Sequence, residues 1–178
     1  MRILVVILSC FFWVPLASAE KELHKSHQAN SSTADTRILV VYPPEVKAYA
    51  FANMRRHLEA LAEIMVAFSN AQYGQAADIA DNKLGVDSHG ATACRVHGDH
   101  SMPMLPISEG GHVEHHMAKL MPEGWWGLGQ NMHVSANEFA NKARDAAKNG
   151  GADITLASVA LAKITQQCVA CHSSYRMQ

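Results

Sequence analysis

Near its C-terminal end the chain reads Gln166-Gln167-Cys168-Val169-Ala170-Cys171-His172-Ser173-Ser174-Tyr175-Arg176, and three of these residues limit what the rest can be. Cys168, Cys171 and His172 form a C-x-x-C-H run. Such a run can be a thioredoxin-like redox pair, half of a zinc site, or an attachment point for covalent haem. A redox pair would follow a strand in a βαβ unit, and zinc would need a second Cys/His pair at matching spacing. Neither context surrounds the run. Haem attachment needs this spacing, because two thiols add across the two vinyl groups of one porphyrin while the adjacent imidazole takes an axial position. On a helix the three residues share one face.

The rest of the chain reads as helices. Pro43-Pro44-Glu45 suits a helix start, and Met54, Leu58, Leu61, Met65 and Phe68 then form an apolar stripe opposed by Arg55, Arg56, Glu59 and Glu63. This first helix is expected to end near Ser69-Asn70. A shorter helix follows over 75–84, closed by Gly85. Residues 134–148 read as a third helix stopped by Asn149-Gly150-Gly151, and Asp153 as the N-cap of a last helix that delivers the haem motif. Arg37 to Tyr42, RILVVY, has strand composition but no second strand pattern to pair with, so it is expected as an extended segment on a helical body. The fold class predicted is all-α, an antiparallel four-helix bundle over 37–178 with the haem at its C-terminal end.

Met1-Arg2, an apolar run and Ala17-Ser18-Ala19 describe a secretory signal peptide over 1–19, with an uncleaved anchor as the alternative. Residues 20–36 read as a flexible leader. The exported chain is expected in the periplasm, with no membrane association after cleavage. Of four cysteines, Cys10 leaves with the signal and the haem takes Cys168 and Cys171. Cys94 is left without an intramolecular partner and open to cross-linking two chains. The net charge of −1 holds no basic stripe of the kind that binds nucleic acid.

A C-x-x-C-H-x-x-Y-R ending at the C-terminus of a helical chain resembles the class II c-type cytochromes, that is, cytochrome c-prime and its six-coordinate low-spin relatives. Gln72-Tyr73-Gly74-Gln75-Ala76-Ala77 resembles the start of that family's second helix. The resemblance covers about 46–84 and 125–176, and the segment 85–132 departs from it as an expanded loop. It implies one covalent haem c, bound by Cys168 and Cys171 with His172 proximal, and a first helix covering the distal face. Met54 falls at the distal position, with Leu58, Met65 and His57 near it. A methionine there implies a six-coordinate electron carrier, and an apolar residue a five-coordinate protein that binds NO or CO. The competing reading of Met54 is plain core packing. Arg176, four residues after His172 on the same helix, is expected beside the imidazole or reaching a propionate, or else as a solvated charge complementing the helix dipole. Dimers are common in this family, so a homodimer is expected on the resemblance alone.

The expanded loop holds Cys94, His97, His100, Met102 and Met104, then His112, His115 and His116. Thiolate, thioether and imidazole together would suit copper or zinc, although the spacing fits no closed zinc pattern. Three functions follow in order: a periplasmic monohaem electron carrier working with other redox proteins, a five-coordinate gas binder, and a haem protein with a metal-handling loop. No catalytic acid–base pair or nucleophile is apparent, so an enzyme is not expected.

Overall fold

A computed structural model describes residues 35–98, 105–109 and 111–178. The signal peptide, all but the last two leader residues, and the loop candidates His100, Met102 and Met104 lie outside the described residues. Thr36–Gln178 form one compact unit, mostly helical.

The first helix, α1, spans Pro44–Ser69 with proline in its first turn, as the sequence predicts. It ends at Asn70, after which Ala71 takes a left-handed φ of 57° and the Gln72 amide donates to the Ala67 carbonyl at 2.9 Å. Helix α2, Tyr73–Ile79, runs into a π-helical turn over Ala80–Leu84 closed by Gly85. Helix α3 is the single turn Thr92–Arg95, and α4 spans Val113–Leu120. Two long helices close the unit: α5, Glu123–Lys148, and α6, Ile154–Ser174. Gly150 and Gly151, at φ 67° and 92°, turn the chain between them.

The packing surfaces are built from alanine. Ala60, Ala67, Ala76, Ala77, Ala136, Ala140, Ala143, Ala157 and Ala160 surround Ile64, Leu84, Phe139 and Ile164 in one core shared by α1, α2, α5 and α6. Small side chains let helix backbones approach closely, so the larger residues fill the remaining gaps. The stripe expected on α1 is therefore rotated. Its buried face is Val46, Ala50, Asn53, Ala60, Leu61, Ile64 and Ala67, whereas Leu58 is 65% exposed and Met65 46%.

Two further expectations are corrected and a third is met only in part. Helix α5 begins at Glu123, not Val134, because Gly124, Gly127 and Gly129 lie on the helix itself. A methyl at Gly124 would overlap the Tyr175 hydroxyl, and one at Gly129 would lie 3.0 Å from the Cys94 sulfur, so two of these glycines admit close neighbours. Asp153 does hold the N-cap position of α6, its carbonyl accepting from the Ala157 amide, but its side chain makes no capping bond and accepts from the Asn149 side chain instead. The RILVVY segment does find a strand partner. Ile38–Val40 (β1) pairs in parallel with Tyr175–Met177 (β2), in the register Ile38 to Tyr175 and Val40 to Met177.

Candidate haem-attachment site

Helix α6 meets α5 through Ala157, Ala160 and Ile164, while Leu156, Val159 and Val169 stay exposed. Among the described residues α6 makes no extended approach to α1. Instead the two helices share a second apolar cluster near the start of α1 and the end of α6. Its buried members are Val40, Tyr42, Val46, Ala50, Ala93, Met117, Met121 and Trp125. Met54 from α1 and Cys171 from α6 both border it, half-buried. The fold thus brings Met54, the residue expected at the distal position, and one thiol of the C-x-x-C-H run to the same apolar cluster.

Cys168 and Cys171 lie one turn apart on α6 and neither is in a disulfide. Cys168 is exposed, with its thiol 3.5 Å from the Ile164 carbonyl. Partial burial pushes the Cys171 thiol up to about 11, with Cys168 beside it adding to the rise, and burial also raises Cys168. Both thiols are thereby held in the protonated form at neutral pH, which slows disulfide formation between them. His172 follows on the same turn, exposed. Arg176 does not continue the helix. Tyr175 is extended, at φ −129° and ψ 150°, so Arg176 sits on β2 on the opposite side from Tyr175 and Met177, which pack on the cluster.

Two tyrosines line this region, Tyr42 buried and Tyr49 half-buried. Tyr42 stands 5.9 Å from Trp125, and the hydroxyls of Tyr42 and Tyr49 have no hydrogen-bond partner among the described residues. Burial drives both above the usual tyrosine range, Tyr42 further through Cys171 and Cys94 and Tyr49 through Glu114. They remain neutral donors. A haem needs two thiols, an axial imidazole, an apolar bed and donors for its propionates. The residues present fit that list.

The structure adds a buried pair that the sequence reading missed. His57 on α1 and His133 on α5 stand edge to face, with ring centroids 5.3 Å apart. His133 is 1% exposed and its Nδ1–H donates to the Leu84 carbonyl at 2.6 Å, at the end of the π turn. His57 Nε2 is buried beside Gly90 with no partner among the described residues. Burial lowers the pKa of both, His57 to about 4 with His133 adding to the fall. Next to them Asn53 donates to the Gly90 carbonyl at 2.9 Å and accepts from Arg56 at 3.0 Å. The only signal for His133 is its place one turn before Ala136 on the buried face of α5.

The loop residues that are described have other partners. Cys94 is buried, its carbonyl accepts from the Trp126 indole at 2.9 Å, and burial pushes its thiol up to about 11. That burial argues against the cross-link between chains. His97 stacks on Trp126 at 4.9 Å, and His116 bonds the Leu105 carbonyl at 2.8 Å. Among the described residues no three His, Cys, Asp or Glu side chains gather as they would around a metal ion. No family model, curated protein or solved structure matches the chain.

Proposed function

We propose that this protein is a periplasmic monohaem c-type cytochrome that carries electrons between other periplasmic redox proteins. Its body, on this reading, is an antiparallel four-helix bundle of α1, α2 with its π turn, α5 and α6. Cys168 and Cys171 bind the haem through thioethers, His172 is the proximal ligand and Met54 the distal one. One observation carries the reading: Met54 and Cys171, more than a hundred positions apart in sequence, border one apolar cluster.

When bound, the haem supplies one-electron chemistry. The chain's own part is to fix and tune it. The cluster of Met117, Met121 and Trp125 excludes water, which raises the potential, and thioether ligation raises it further. The Tyr42 and Tyr49 hydroxyls are donors for carboxylates, and Arg176 adds a cation on the adjoining strand. A second reading is five-coordinate binding of NO or CO, with an apolar group over the iron. In that reading Leu58, one turn beyond Met54 on α1, would be the apolar group. Visible spectra of the exported protein separate the two. A low-spin ferrous spectrum indifferent to CO supports Met54 ligation, and a high-spin spectrum that responds to CO removes it.

A further inference from the structure

Just past the attachment turn the chain leaves the helix, and α6 is left with carbonyls that no helical amide can reach. The donor at His172 comes from the other end of the chain. Arg37 Nη1 lies 3.3 Å from the His172 carbonyl oxygen, across 135 positions of sequence. Residues 38–40 then run beside 175–177, and the Gln178 amide donates to the Val40 carbonyl at 3.2 Å. A three-residue parallel pair is not stable by itself. Here Tyr175 and Met177, alternate residues on one side of β2, are anchored on the apolar cluster. The Tyr175 ring is 5.6 Å from Trp125, and its hydroxyl occupies the notch left by Gly124.

One of these contacts holds the His172 carbonyl and the others hold Tyr175–Gln178, which begin three residues after it; β1 and β2 have no other strand to pair with among the described residues. We propose that Arg37, β1 and the Tyr175–Gly124 lock form a clasp that positions His172, setting the plane of its imidazole and the charge it feels. Arg37 and Tyr175 are positioning residues that act through His172, and the inference rests on the haem reading above. A cation at the C-terminal end of α6 favours the less positive, reduced state, with an effect limited by solvent screening because Arg37 is exposed.

The test uses the exported, haem-loaded full chain in a mediated redox titration, with electron paramagnetic resonance of the ferric form. Arg37→Gln is expected to lower the equilibrium constant for one-electron reduction roughly twofold to fivefold, the range of an exposed charge interaction. Arg37→Lys should recover most of it. Gly124→Ala, which moves Tyr175 without changing charge, should alter the ferric g-values that report imidazole orientation. Arg37→Gln is a surface change that leaves the core intact, so it decides the matter even if Gly124→Ala does not fold. A wild type with haem, and variants indistinguishable from it in potential and g-values, would overturn the clasp alone. A colourless wild type would overturn the haem reading and the clasp with it.

Discussion

His57 and His133 face each other across α1 and α5 at 5.3 Å, and both are held neutral by burial. Two imidazoles this close cannot both be charged in a buried seam. The Nδ1–H of His133 is committed to the Leu84 carbonyl, which fixes its tautomer and ties α5 to the π turn after α2.

Stability should therefore fall on mild acidification. His57 has a folded pKa of about 4, below its unfolded value near 6.5, so the unfolded chain binds the extra proton first. The stabilisation is fully present above pH 6.5 and is lost as pH drops from there toward 4. The loss at His57 is roughly 3 kcal/mol. Urea midpoints measured from pH 7 to pH 4 would show it, and His57→Gln should flatten that slope.

Met54→Ala tests the distal assignment. The variant should turn from a low-spin protein indifferent to CO into a high-spin one that binds it. Leu58→Ala, on the exposed side of α1, should leave the spectrum as it was. An unchanged Met54→Ala spectrum would transfer the sixth position to another residue.

Cys94 should be inert in the folded protein. Burial pushes its thiol up to about 11 from an ordinary 9, which lowers the reactive thiolate fraction roughly a hundredfold near pH 8. Iodoacetamide labelling followed by mass spectrometry should leave Cys94 unmodified until denaturant is added. Rapid labelling in native buffer would show that the sulfur is accessible.

Ala71 holds a left-handed backbone conformation with a Cβ, at φ 57°. Ala71→Gly relieves that strain and should stabilise by about 1 kcal/mol, read as a higher urea midpoint. A lower midpoint would mean that Ala71 gains more from its side chain than the turn costs.

The helices were legible wherever stop signals were strong. Pro44 and Asn70 bound α1, and Asn149-Gly150-Gly151 ends α5, because proline and glycine act through local backbone geometry. The faces were less legible. Periodicity counted Leu58 and Met65 as core because they are large, while the α1 packing surface is Ala60 and Ala67, which carry little signal. Gly124 and Gly129 disguised the start of α5, since their reason for being glycine lies in Tyr175 and Cys94, far away in sequence. The β1–β2 pair was unreadable for the same reason: Tyr175-Arg176-Met177 is too short to show alternation. At the site, the thiols and His172 were visible as a motif. Tyr42, Tyr49 and His133 needed the fold, because nothing local marks a polar group for burial.

The most direct test is the mass of the mature exported protein under denaturing conditions, with alkylation of its free thiols. The account predicts a mass raised by one haem, a red protein, and Cys168 and Cys171 resistant to alkylation after unfolding while Cys94 reacts. A colourless chain of the bare polypeptide mass, with all three thiols alkylated, would contradict it.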